Sequence, residues 1–268
     1  MSETNSTRQR ITIRLGRNTL AFASMADDDE KSIVYEPYVV KSGISMAANL
    51  REAFKQADLL LQAPPRAMVM VDADTLMVPI EEFSEKNIET LHNHAFPKRE
   101  KEIVLYNVLP DLNAVAVFSI SKDLNTVVSD HFQDTRFTSA ITPVWRHLHQ
   151  RSFTGTRQKL YAYFHESRLE VFCFQQNRFK FSNSFDASRC QDAVYFLLYV
   201  WNQLQLDAGK DELHLVGDLP DEALLTTTLK EFLQNVYVIN PVADFNAHPA
   251  TSIKGMPYDM QTLFVKGR

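Results

Sequence analysis

The sequence predicts an α/β fold in which one unit, three strands followed by a helix and a further strand, is built twice, with an α/β segment inserted in the first copy. Three observations carry this expectation. Two triplets of short strand-like runs start near Arg10 and near Gln158, and each leads into a helix and another strand. Between them, residues 76–120 hold strands and a helix with no counterpart in the second half. A chain of 268 residues with 45% hydrophobic content can also bury a large core.

The elements follow in order. Arg10 to Leu15 alternates Ile11 and Ile13 with polar neighbours, Gly16-Arg17-Asn18 supplies a turn, and Thr19 to Met25 resumes an extended pattern, which together read as a hairpin. The run Asp27-Asp28-Asp29-Glu30 reads as a solvated acidic loop before a third strand, Ile33 to Val40. Ser45 to Gln62 carries Met46, Leu50, Phe54, Ala57 and Leu61 at helical spacing and is stopped by Pro64-Pro65. Strands at Ala67 to Val71 and Leu76 to Pro79 follow, then a helix from Glu85 to His94. Next are strands at Glu102 to Leu109 and Ala114 to Ile120, a helix from Lys122 to Phe132, and a short helix from Thr142 to Gln150.

The pattern then begins again. Lys159 to Phe164, Leu169 to Phe174 and Arg178 to Phe185 are short strands joined by the polar turns Glu166-Ser167 and Gln176-Asn177. An apolar helix, Ser188 to Leu206, a strand, Glu212 to Val216, a helix, Asp221 to Gln234, and a strand, Val236 to Ile239, complete it. The expected division is a disordered tail over 1–9, a first lobe over 10–150 with its insert at about 76–120, and a second lobe over 157–268.

Composition narrows the function. A net charge of −5 gives no electrostatic footprint for nucleic acid or an anionic membrane surface. Met1 to Arg10 is polar and lacks the apolar core of a signal peptide. The longest apolar stretch, the nine residues Ala193 to Trp201, is far short of a bilayer span of roughly 20 residues. A cytoplasmic protein without direct membrane insertion is therefore expected. Cys173 and Cys190 are too few for a disulfide framework and too far apart for a redox pair, so both read as buried thiols.

The seven glycines, Gly16, Gly43, Gly155, Gly209, Gly217, Gly255 and Gly267, all stand alone. No stretch can form a multi-glycine loop that wraps backbone N–H groups around a phosphate. The histidine pairs His92/His94 and His147/His149 lie two apart on predicted helices, where they do not share a face, so neither chelates a metal by itself. Asp72 and Asp74 at a strand end read as turn caps. No Gly-x-Ser-x-Gly elbow is present.

The duplicated unit with its insert resembles the actin-like ATPase superfamily, the ribonuclease H-like fold of actin, heat-shock chaperones and sugar kinases. The segments Val78-Pro79-Ile80-Glu81-Glu82-Phe83, Phe96 to Leu109 and Ala114 to Leu124 are similar to the inserted subdomain of pilus-assembly PilM and FtsA-like proteins. The chain also resembles an uncharacterised Bacteroidetes family. In active members, the resemblance implies, an acid two positions before a glycine serves Mg²⁺ and phosphate at the first hairpin of each half. Here Arg14 precedes Gly16, His165-Glu166-Ser167 lacks both acid and glycine, and the adenosine-side glycine pair is reduced to Gly217-Asp218. A degenerate nucleotide site, with no cofactor and no metal, is the expectation. Arg14, Arg17 and Lys41 offer a counter-reading as metal-free phosphate forks, against the plainer one of surface cations.

Two surfaces could take a partner. In pilus-assembly relatives the groove beside the insert receives a short peptide, which points to Met68, Met70, Leu76 and Met77, expected on adjacent strands, and to Phe83 and Phe96 at the edges of the insert, with core filling as the alternative for the methionines. The second half is crowded with aromatics, and Phe172 and Phe174 point opposite to Leu169 and Val171, so both faces of that sheet need a cover. The whole then reads as a scaffold or adaptor for a protein or peptide, with a homodimer as one form. The rival is a divergent kinase or ATPase.

Overall fold

The computed structural model describes residues 9–26, 32–97, 101–153, 155–175 and 178–266. The acidic run Asp27–Glu30, the tail before Gln9 and the turn Gln176–Asn177 lie outside the described residues.

The first half runs β1 (Ile11–Leu15), β2 (Leu20–Met25), β3 (Ile33–Tyr38), α1 (Met46–Gln56), α2 (Asp58–Leu61) and β4 (Arg66–Val71). It continues through β5 (Thr75–Pro79), α3 (Ile88–Ala95), β6 (Glu102–Leu109), β7 (Ala114–Ser121), α4 (Lys122–His131), β8 (Asp134–Ser139) and α5 (Ile141–Ser152). The second half has β9 (Lys159–His165), β10 (Arg168–Gln175), β11 (Arg178–Asp186), α6 (Cys190–Gln203), β12 (Glu212–Gly217), α7 (Glu222–Lys230), β13 (Val236–Val238), α8 (Pro241–Asp244) and α9 (Tyr258–Lys266).

Two five-stranded sheets have the same wiring. Their orders are β3-β2-β1-β4-β8 and β11-β10-β9-β12-β13. In each, an antiparallel three-strand meander is extended by two parallel strands. A third sheet, β5-β7-β6, is that of the insert, closed on a small core of Val78, Ile88, Val115 and Val117. The expected duplication with an inserted subdomain is thus the observed architecture.

Strand parity sorts the core. Ile11, Ile13 and Leu15 lie on one face of β1 with Ala67, Val69 and Val71 of β4, and pack with Leu50 and Ala53 of α1 and Val127 and Val128 of α4. Each fully buried Ile or Leu stabilises by about 1.5–3 kcal/mol. In the second sheet, Leu169, Val171 and Cys173 join Ala193, Leu197 and Val200 of α6 and Leu225 and Leu229 of α7. The buried Asn49 of α1 holds the loop before its helix: its Oδ1 accepts from Lys41 N at 2.8 Å, and its Nδ2 donates to Lys41 O at 3.2 Å.

Four features depart from the sequence expectation, the short helix α8 among them. The helix expected over Ser45 to Gln62 breaks at Ala57, which is extended. Glu36 of β3 causes the restart, because its carboxylate accepts from Asp58 N at 3.1 Å and Leu59 N at 2.9 Å, two of the N–H groups that a helix start leaves unpaired. Strand β8 was not expected and supplies the parallel edge of the first sheet. Helix α9 was not expected either, and it supplies cover for the aromatic face of the second sheet. Tyr258 of α9 lies 5.9 Å from Tyr163, and Trp145 of α5 lies 6.3 Å from Phe172 and 5.1 Å from Phe179. That face is therefore packed from within the chain.

The chain forms two compact units. One comprises Met1–Val108, Val115–Thr142 and His248–Met256, the other Leu109–Ala114, Pro143–Ala247 and Pro257–Arg268.

Candidate functional site

In the first unit the β1–β2 turn closes where Gly16 N–H donates to the Thr19 carbonyl at 2.9 Å. Arg14 pairs with Met70 across the β1–β4 ladder and stands on the same face as Thr12 and Met68. It is 1% exposed, and its Nη1 donates to Thr19 Oγ1 at 3.0 Å. Arg14 is thus a buried arginine and not one of a surface set, because a guanidinium stays charged when buried and must be held by hydrogen bonds. Arg17 is turned to Asp74 at 3.6 Å, and Lys41 pairs with Glu52, whose hydrogen bond pushes the lysine pKa up. The three cations engage three different partners.

In the second unit, His165 ends β9 and is 5% exposed. Its ring stacks on Tyr163 with centroids 4.7 Å apart, and Nε2 lies 3.8 Å from Glu170 Oε1, which also accepts from Arg168 Nε at 2.7 Å. The turn that follows has Glu166 at φ 45° and Ser167 at φ 64°. Both are left-handed, the backbone that a two-residue hairpin needs and that glycine or asparagine usually supplies.

Gly217 has a packing reason to be glycine. Its φ is +98°, and a Cβ there would fall 2.1 Å from the Phe164 carbonyl oxygen and 3.0 Å from the Tyr163 ring. The neighbouring Asp218 N–H donates to that same carbonyl at 2.9 Å, while the Asp218 side chain is exposed.

The second unit also carries a pocket of about 480 Å³, lined by Arg151, Glu212, His214, Tyr237, Val238, Ile239, Asn240, Ala243 and Asp244. The Asp244 carboxylate is the most enclosed charge of the pocket, its side chain 4% exposed: it pairs with Arg151, lies 2.6 Å from His147 Nε2 and accepts from Tyr258 OH at 3.3 Å. Glu212 Oε2 is 2.9 Å from His214 Nε2. Burial pushes the His214 pKa down against the pull of Glu212. Lys159 donates Nζ to the Arg151 carbonyl at 3.0 Å, and burial pushes its pKa down. Tyr161 lies beneath with its ring 5.4 Å from that of His214, and burial pushes its phenol pKa up. These residues were missed in the sequence, where nothing but the buried-looking Lys159–Phe164 run hints at them.

The partner candidates are placed as follows. Met70 is fully buried, Met68 half-buried, and both lie on β4 of the first sheet. Leu76 and Met77 are half-buried on β5, an edge of the insert sheet, so the two pairs belong to different sheets and not to adjacent strands. Asp72–Asp74 carries the chain from one sheet to the other. Phe83 packs on the insert core with its ring 5.0 Å from Tyr106, and half-buried Phe96 lies 5.1 Å from His92. Of the histidines, His147 is bound to Asp244 and His149 packs between Phe153 and Phe174. Among the described residues no helix is long and apolar enough to cross a membrane.

No curated protein matches the sequence. Among solved structures, a protein of Bacteroides thetaiotaomicron with an actin-like ATPase fold and unknown function superposes with a TM-score of 0.83 at 32% identity, over 92% of this chain and 97% of that one. A chain of the PilM–PilN type IV pilus biogenesis complex superposes with a TM-score of 0.55 at 11% identity, over 89% of this chain and 90% of that one. The family described as "Protein of unknown function (DUF3822)" matches residues 1–236. With that match and the actin-like ATPase fold, the chain belongs to the DUF3822 family.

Proposed function

We propose that the chain is a non-catalytic adaptor, an actin-like ATPase fold whose nucleotide site is degenerate and which binds a partner protein or peptide. The observation that carries the reading is at the two hairpins. Arg14 and His165 stand where active members of the superfamily place groups for Mg²⁺ and phosphate, and both are buried against the chain's own residues. Phosphoryl transfer depends on placed metal and phosphate donors, and a cation and an imidazole with no glycine loop are a poor set for either. Gly217, the glycine kept at the third motif, is accounted for by its approach to Phe164.

The adaptor reading follows the precedent of PilM, a protein of this fold in a complex with PilN. As the sequence resemblance implies, the partner surface is taken to lie at the insert, which carries Leu76, Met77, Phe83 and Phe96, while Met68 and Met70 lie on β4 of the first sheet. The lobes are taken as 10–150 and 157–268, and a cytoplasmic location is part of the same proposal. The rival, a divergent ATP-binding enzyme, would need Arg14 and Arg17 to turn from Thr19 and Asp74 to a phosphate.

Calorimetric titration with ATP and magnesium separates the two. The expected result is no binding in the micromolar range. Micromolar affinity that disappears in Arg14→Ala would overturn the adaptor reading.

A further inference from the structure

We propose that the chain forms a homodimer by pairing the outer edges of β11 antiparallel across a two-fold axis, with Tyr195 and Tyr199 of α6 closing over the seam. The proposal goes beyond the adaptor reading and does not depend on it.

Strand β11 ends the second sheet and is nine residues long. Ala187 N donates to Ser167 O at 2.9 Å, and the register sets Phe185 opposite Leu169 and Asn183 opposite Val171 of β10. Backbone groups alternate in direction along an antiparallel pair, so those of residues 183, 185 and 187 face β10 and those of Ser182, Ser184 and Asp186 face outward. An edge of this kind takes a further strand. The register slips at Lys180, between Phe179 and Phe181, so regular pairing runs from Phe181 to Asp186.

Charge selects a second copy over an unrelated strand. The charged residues of β11, α6 and the turn between them are Arg178 and Lys180 at the start of the strand, and Asp186, Arg189 and Asp192 past its other end, all exposed. One end thus carries only cations, and the other has its carboxylates in excess. An antiparallel two-fold lays each end on the opposite end of the mate, so unlike charges meet at both. With the axis at Asn183, Ser182 stands opposite Ser184, Phe181 opposite Phe185, and Lys180 opposite Asp186 of the second copy. Lysine at an edge discourages chance pairing, and here it is matched when the added strand is β11 itself. In the single chain Ser184 N donates to Asn183 Oδ1 at 2.8 Å. In the pair that N–H passes to a backbone carbonyl, and the two exposed Asn183 amides, facing each other on the axis, bond one another.

A second observation is aromatic. Phe185 of the edge strand stacks on Phe196 of α6 with ring centroids 4.5 Å apart, Phe196 lies 5.3 Å from Tyr195, and Tyr195 stacks on Tyr199 at 6.2 Å. This run of rings leads from the strand to solvent, where Tyr195 is 64% and Tyr199 50% exposed. Interface cores are enriched in tyrosine and depleted of charge, and the outward stripe of α6, Asp192, Tyr195, Tyr199 and Asn202, has its one charge at the end. Joining the two edges makes one continuous sheet with both α6 helices on the same face, so the tyrosines of the two copies cover one another across the seam.

The test is sedimentation of the full chain between about 1 and 100 µM. A dimer with a dissociation constant in the micromolar range is expected. Ser182→Pro removes an outward N–H and leaves the ladder to β10 intact, and it should raise that constant at least about tenfold with the thermal midpoint preserved. Lys180→Glu should do the same by setting Glu against Asp186, and adding Asp186→Lys to it should restore the dimer. If Ser182→Pro lowers the midpoint, the charge variants decide alone. A chain that stays monomeric at about 100 µM, or a dimer that Ser182→Pro and Lys180→Glu leave unchanged, would overturn the proposal. So would a double variant that recovers nothing of what Lys180→Glu loses. The adaptor reading fails separately, by micromolar Mg-ATP binding.

Discussion

Replacing Gly217 with alanine should destabilise the second unit by about 3–4 kcal/mol with no ligand present. The new methyl carbon would sit 2.1 Å from the Phe164 carbonyl oxygen, where an ordinary carbon–oxygen contact is about 3.2 Å. The end of β12 must therefore move by about 1 Å, and the Asp218 N–H bond to that same carbonyl, 2.9 Å long, is stretched or lost. Losing that bond costs about 1 kcal/mol. Holding alanine at a φ of +98° costs about 1–2 kcal/mol more. Displacing the Tyr163 ring, 3.0 Å from the methyl, supplies the rest. The assay is urea unfolding followed by tryptophan fluorescence. Both tryptophans, Trp145 and Trp201, are buried in the second unit, so the signal reports on it alone. The thermal midpoint should fall by roughly 10 °C. A loss under about 1 kcal/mol would refute the packing account of Gly217 and return the glycine to a ligand-binding role.

Other expectations can be checked in the same preparations. Ser167→Gly should raise unfolding free energy by about 0.5–1 kcal/mol, since Ser167 is exposed and held at φ 64°, and a loss would refute the strain. Burial pushes the Cys173 thiol from 9.0 up to about 11. Its folded pKa lies above its unfolded one, so its contribution is complete below pH 9 and is lost as pH rises toward 11, to the extent of about 2–3 kcal/mol. Tyr161 and Tyr258 are raised by burial as well and act in the same direction. Stability that stays flat between pH 8 and about 10.5 would contradict this, as would labelling of Cys173 by a thiol reagent at pH 8 before unfolding.

The strand triplets were legible because Ile11 and Ile13, or Leu169 and Val171, alternate with neighbours that the register places on the opposite face. Strand β8 was not, because Asp134–Ser139 offers only Phe137 as a large apolar residue and takes its order from β4. The break at Ala57 depends on a carboxylate from Glu36, on a different strand, which no helical pattern records. The hairpin departures at Arg14 and His165 were visible as residue types, but the burial of Arg14 was not, since a lone arginine near a turn normally faces water. The pocket was illegible for a plainer reason. His147 and Asp244 are 97 positions apart, and the residues that meet there show no spacing motif.

The bond from Tyr163 OH to Asp259 Oδ2, 3.1 Å, joins β9 to α9 across 96 positions of chain. During synthesis, strand β9 leaves the ribosome well before the helix that seals it, by roughly 5–20 s at ordinary elongation rates. Through that interval the ring of Tyr163 and its neighbours on the sheet wait for their last layer. The nascent second unit then leaves open to solvent a ring face that α9 covers in the finished fold. Slower elongation between these two elements would lengthen its exposure to chaperones and to misassembly without changing any contact of the finished fold.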